Sequence, residues 1–143
     1  MKKEEIGIYR EIQKNAEMAI KAIDTVSDKV YDDGLSMQIA REAIKYSELR
    51  GRAVDKLLQG KAETYKAKPF SDMMLKSGIN MNTMLNTSTS HIAELMIRGS
   101  NRGIIDMNKT LNRYPDAKGS AVELAKELMD FEEKNITRLK KYL

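Results

Sequence analysis

Cysteine is absent from the 143 residues, which excludes disulfides, thiolate metal sites and cysteine nucleophiles. A chain without thiols suits a reducing compartment, and a cytoplasmic location is expected. Tryptophan is absent too, six Tyr and two Phe are scattered along the chain, and His91 is the single histidine. No second base joins His91 to build a nucleophile, base and orienter, so a non-enzymatic role is expected. Only two prolines and eight glycines interrupt the sequence, which favours long helices. No apolar run approaches the ~20 residues of a membrane span. Met1-Lys2-Lys3-Glu4-Glu5 leads into polar, amphipathic sequence, and no signal peptide is read there. The excess of positive charge is small, 25 basic against 21 acidic residues for a net +4, with the signs interspersed. Nucleic-acid binders gather their basic residues on one face and add aromatics for stacking. Neither a nucleic-acid partner nor a membrane partner is expected.

What the chain does contain is a repeat. Ala125-Lys126-Glu127-Leu128-Met129-Asp130-Phe131-Glu132-Glu133 echoes Ala40-Arg41-Glu42-Ala43-Ile44-Lys45-Tyr46-Ser47-Glu48 at an offset of 125 − 40 = 85. The same offset places Gly34 on Gly119, Val26 on Leu111 and Leu58 on Leu143. A helix, a Gly-containing turn and a second helix therefore occur twice. The pattern predicts helices over about 4–30, 35–59, 89–113 and 120–142.

Apolar and small residues recur in steps of three and four, which places each set on one stripe of a helix. The first stripe reads Tyr9, Ile12, Ala16, Ala19, Ile23, Val26 and Val30. The second reads Ala40, Ile44, Ser47, Gly51, Val54 and Leu58, widened by Ile39, Ala43, Tyr46 and Leu57. The third reads Ala93, Ile97, Ser100, Ile104, Met107 and Leu111, and the fourth Ala125, Met129, Glu132, Ile136, Leu139 and Leu143. Small residues at Ser47 and Gly51 suit a close helix approach, or a side chain from another copy. Gly99 and Gly103 suit close approach of the third helix, with Arg98 and Arg102 as an alternative anion site. Asp33, Ser88 and a Ser120-x-x-Glu123 capping box are the expected helix starts. Glu132 is the one carboxylate on a stripe. Its burial demands a partner, for which Arg50, Arg98 and Arg102 are the candidates.

Between the two hairpins, 4–59 and 89–143, lies a crossover over 60–88, all within a single domain 1–143. Pro69 disfavours helix just before it, and a short helix is expected within 70–86, carrying Met73, Met74, Met81 and Met84. Such a Met-rich face is adaptable, and a protein partner is expected to dock there. A helix of about 25 residues is ~38 Å long, a length this crossover can return. Hairpin, long crossover, hairpin is the ferritin-like arrangement of an all-α four-helix bundle.

On these features, and on the paired Ala-[Arg/Lys]-Glu-x-x-x-[Tyr/Phe]-x-Glu segments, the chain resembles the ferritin-like superfamily. More narrowly, it is similar to the small uncharacterised bacterial ferritin-like bundle proteins. The resemblance implies a possible iron or manganese site built from a Glu on two helices and Glu-x-x-His on the other two. The pattern departs from that set. Three residues after Glu42 stands Lys45, after Glu127 Asp130 and after Glu132 Asn135, while His91 precedes Glu94 in the reverse order. Glu17, Glu94, Glu127, Glu132 and His91 remain as metal candidates. The favoured expectation is a bundle without cofactor, acting as a binding or structural module, and homodimeric.

Overall fold

Four helices and no strand make up the residues that the computed structural model describes, 1–68 and 86–143. Helix α1 spans Lys3–Val26 and runs into a 3-10 turn, Ser27–Lys29. Helix α2 spans Asp33–Gln59, α3 Thr89–Arg113 and α4 Ser120–Leu139, the last closed by a 3-10 turn at Lys140–Tyr142. The short helix expected within 70–86, and the partner surface assigned to it, lie outside the described residues.

The helix ends follow from side-chain chemistry. Asp32, rather than Asp33, caps α2, its Oδ1 accepting from the Leu35 amide at 2.8 Å. Ser88 Oγ accepts from the His91 amide at 3.2 Å and caps α3. The capping box expected at α4 does not form. Gly119 occupies the cap with φ 84, a left-handed backbone that glycine adopts without strain. The Ser120 hydroxyl, one place inside the helix, shares a 2.9 Å hydrogen bond with the Tyr9 hydroxyl of α1 instead.

Two close approaches set the chain directions. A Cβ built on Gly7 would stand 2.7 Å from the Tyr114 hydroxyl, and one on Gly34 would stand 2.7 Å from the Tyr142 hydroxyl. The start of α1 therefore lies at the end of α3, and the start of α2 at the end of α4. The Tyr9–Ser120 bond brings the starts of α1 and α4 together. The helices run up, down, down and up. The chain leaving α2 turns back along α1, where Arg10 Nε donates to the Glu63 carbonyl at 2.8 Å. Gln13 then holds Tyr65 at two points, donating to its carbonyl at 3.1 Å and accepting from its amide at 2.8 Å. Helix α1 packs on all three others, while α2 and α3 form the far diagonal.

Burial repeats between the hairpins in two registers rather than one. Ile8, Tyr9, Ile12, Ala16, Ile23 and Val26 match Ile92, Ala93, Met96, Ser100, Met107 and Thr110, a shift of 92 − 8 = 84. Leu35, Gln38, Ile39, Glu42, Tyr46, Leu49 and Ala53 match Ala121, Leu124, Ala125, Leu128, Glu132, Asn135 and Leu139, a shift of 121 − 35 = 86. The sequence offset of 85 is the compromise between them, because the second hairpin has two more residues between equivalent buried positions, Thr110 to Ala121 against Val26 to Leu35.

This register corrects the expected face of α2. Its buried row is Leu35, Ile39, Tyr46, Leu49, Ala53 and Leu57, whereas Ile44 is 71% and Leu58 60% exposed. Both rows advance in steps of three and four. The inner one carries the larger side chains, so more apolar area leaves water when it faces inward. Among the described residues nothing lies within 4 Å of a Cβ built on Gly51, so it mediates no close approach between these helices. On α3 the buried positions are Ile92, Ala93, Met96, Ser100, Gly103, Met107 and Thr110, with Ile104 only half-buried.

Candidate functional site

Tyr46 and Glu132 occupy equivalent positions in the two hairpins, and across the bundle they meet each other. The Tyr46 hydroxyl donates to Glu132 Oε2 at 3.0 Å. The other carboxylate oxygen accepts from Asn15 Nδ2 at 3.1 Å, and the same nitrogen donates to the Gly103 carbonyl at 3.1 Å. All four helices thus contribute to one buried polar group. Gly103 is required there, since a Cβ would overlap the Glu132 carboxylate and stand 2.8 Å from Asn15 Nδ2. Phe131 closes the group edge-on against Tyr46, with ring centroids 4.9 Å apart.

The cations expected beside Glu132 are engaged elsewhere. Arg50 pairs with Glu17 at 2.8 Å, Arg98 with Glu94 at 3.2 Å and Arg102 with Asp106 at 3.2 Å. With neutral donors only, desolvation dominates, and burial pushes the Glu132 carboxyl up to about 8 against the hydrogen bonds from Tyr46 and Asn15. Glu42 stands one turn before Tyr46, buried, and accepts from Gln38 Nε2 at 3.0 Å. Burial raises its carboxyl to about 7. Burial, then the Glu132 charge, raises the Tyr46 phenol well above its ordinary value. The interior therefore holds two carboxyls that stay largely neutral in mildly acidic solution, each able to donate as well as accept.

A cavity of about 220 Å³ adjoins this group, between α1 and α3. Its walls are apolar, with Met18, Ala22, Ile23, Leu95 and Met96 among them. At its inner end lie Asn15, Glu42, Tyr46 and Ser100, and on its solvent side the exposed Gly99 and Arg102. No Cβ contact lies within 4 Å of Gly99, so its face of the cavity is open.

The five metal candidates do not come together. Glu17 takes Arg50 and the Gln13 amide. Glu94 pairs with Arg98 on the exposed face of α3. Glu127 bridges Lys45 at 3.0 Å and Arg52 at 2.6 Å on the surface. Those partners hold its carboxyl below the usual range, hydrogen bonding from Arg52 being the largest cause. His91 lies in the first turn of α3, its Nε2 buried and without a hydrogen bond among the described residues. Glu132 alone reaches the centre. No group of three or more His, Cys, Asp or Glu that could hold a metal ion forms among the described residues.

Glu42 and Asn15 are the buried polar residues here that stripe reading missed, whereas Tyr46 was read as widening the second stripe. Glu42 was legible in principle, since it falls one turn from Tyr46 on the row bearing the larger side chains. Asn15 carried no such signal, because nothing in the flanking residues separates a polar residue facing inward from one facing water. No protein-family model, no curated protein and no solved structure matches this chain.

Proposed function

We propose that this protein is a non-enzymatic binding module of ferritin-like architecture that holds a small, largely apolar molecule in the α1/α3 cavity. The up, down, down, up course, with the chain after α2 turning back along α1, supports the ferritin-like assignment. The observation that carries the binding reading is the pairing of an apolar cavity with a pinned polar group at its inner end. Binding sites for small molecules are concave and mostly apolar, with a few fixed polar groups that orient the ligand. The ligand is neutral, because burial raises the Glu42 carboxyl at the cavity's inner end to about 7 and leaves it largely uncharged in mildly acidic solution. Its size is that of one or two aromatic rings, given that an apolar cavity of roughly 150 Å³ takes benzene. A hydroxyl or amide on the ligand would exchange hydrogen bonds with Ser100, Tyr46 or Glu42.

Calorimetric titration with phenol, benzyl alcohol and indole tests this, with Gly99→Leu as the blocking variant. Gly99 lines the cavity and a Cβ there meets nothing within 4 Å among the described residues, so the new side chain is expected to occupy space at the cavity's open face. It removes a helix glycine, so stability should rise by up to ~1 kcal/mol while binding is lost. Equal binding by wild type and variant, or none by either, contradicts the reading.

The outer row of α2 supports a second reading, self-association. Ile44 and Leu58 are exposed along the row that includes Ala40, Ser47, Gly51 and Val54. About its middle, an antiparallel second copy would set Leu58 on Ala40, Ile44 on Val54 and Ser47 on Gly51, with the small central pair allowing the two helices to approach. Twofold contacts have this self-complementary form. Sedimentation equilibrium should then show a dimer that Ile44→Glu converts to monomer. A wild-type monomer at high concentration rules it out.

A further inference from the structure

A second concave region lies on the opposite side of Glu42, between α2 and α4, and its chemistry differs from that of the cavity. The groove has a volume of about 720 Å³. Five basic side chains line it, Arg41 and Lys45 from α2, Lys134 and Arg138 from α4, and Lys141 from the 3-10 turn after it. Two of them are compensated, Lys45 by Glu48 and Glu127, and Lys134 by Asp130 at 2.9 Å. Arg41 and Arg138 make no ion pair among the described residues. On the groove's lining lies Asn135, fully buried, with both amide atoms, Nδ2 and Oδ1, lacking a hydrogen-bond partner among the described residues. A buried amide without partners is costly, and such groups are rare without a reason. An apolar side chain suits this place in the fold. The equivalent position in the first hairpin, 86 residues earlier, is Leu49, buried in the core.

We propose that the α2/α4 groove is a site for a soluble phosphate ester, with Arg41 and Arg138 on the phosphate and the Asn135 amide donating from the floor. Guanidinium groups match phosphate oxygens in a bidentate fork, which lysine cannot do. The groove exceeds the size of a bare phosphate and leaves room for the organic part of the molecule. Gln38 lines the same groove as a further amide for that part. The site is separate from the α1/α3 cavity, so it stands or falls independently of the proposed function.

The test is an NMR titration of the isotope-labelled protein at constant ionic strength with inorganic phosphate, glycerol phosphate, pyrophosphate and sulfate. Vesicles containing phosphatidic acid form a separate arm. Saturable shifts at the Asn135 side-chain amide and at the Arg41 and Arg138 Nε signals are expected with the phosphate compounds. Arg138→Gln and Asn135→Leu should each weaken binding about tenfold or more, the size of one lost charge-assisted hydrogen bond. Asn135→Leu restores the side chain found at the equivalent position, so it should remain folded. Arg98→Gln, on the exposed face of α3, should leave the affinity unchanged. Equal losses in Arg98→Gln and Arg138→Gln would reduce the effect to general charge attraction and overturn the proposal. So would binding to the vesicles alone, or an Asn135 amide that no phosphate compound moves.

Discussion

A single residue, Glu132, shows how burial and hydrogen bonding divide their effects. Tyr46 and Asn15 stabilise its ionised form, but neither carries charge, and desolvation outweighs both. The carboxyls of Glu132 and Glu42 titrate near 8 and 7 in the folded protein, against the ordinary value of 4.5. Between those limits the folded state holds protons that the unfolded chain has released. Stability is then fully present on the acid side and falls as pH rises through the folded values. The fall is at most ~1.4 kcal/mol per pH unit for each carboxyl protonated only when folded. Glu48 and Glu127 have lowered values and act with the opposite sign, losing their contribution as pH drops below the ordinary carboxylate range. Both are substantially exposed, so that part is small. Glu132→Gln should therefore flatten the decline between pH 5 and 8 in urea denaturation. An undiminished slope would place the titrating group elsewhere. Two glycines give a paired test at the same scale. Gly103→Ala drives a methyl into a carboxyl pinned by two hydrogen bonds, and should cost ~1–3 kcal/mol as an overpacked core does. Gly51→Ala enters open space and should stabilise by ~0.5–1 kcal/mol. Similar effects of the two would mean that the Glu132 carboxyl is free to swing aside.

At the scale of the element, helices were readable because glycine and proline are scarce and the apolar steps regular. Their facing was readable only in part. Of the first stripe, Tyr9, Ile12, Ala16, Ile23 and Val26 are buried, while Ala19 is half-buried and Val30, beyond the end of α1, is half-buried too. On α2, two parallel rows compete, and the regularity of Ala40, Ile44, Ser47 and Gly51 pointed to the one facing water. Step counting weighs a serine like a tyrosine, whereas burial is decided by area, and Tyr46, Leu49 and Leu57 have more of it. The site was less legible still. Glu132 stood out as a carboxylate on an apolar row, but its partners are neutral groups from α1 and α2 that no local spacing connects to it. The α3 facing predicts that Met107→Ala costs ~2–5 kcal/mol, as a buried Met truncated in a core does. Ile104→Ala should cost clearly less, because Ile104 is half-buried. Reversal of that order in denaturation would put α3 in a different rotation.

For the whole molecule, the pseudo-twofold relation explains why a polar group sits at the centre. The two second helices meet at equivalent positions, Tyr46 from one and Glu132 from the other, and the first helices supply Asn15 and the Gly103 carbonyl around them. Outside this group lie two concavities of opposite character, apolar toward α1 and α3, basic toward α2 and α4, with Glu42 lining both. On the surface, Arg52 and Lys45 tie α2 to α4 through Glu127. These charges are exposed, so Arg52→Gln should change stability by no more than ~1 kcal/mol, and less in high salt. The central claim is that a neutral carboxyl lies at the inner end of a ligand cavity. Carbon-13 NMR of the labelled glutamate carboxyls, titrated with and without a cavity-filling phenol, measures it directly. Glu132 is expected to titrate near 8 and Glu42 near 7, with at least one moving when the phenol enters. Both carboxyls titrating in the ordinary range, unmoved by the phenol, would contradict it.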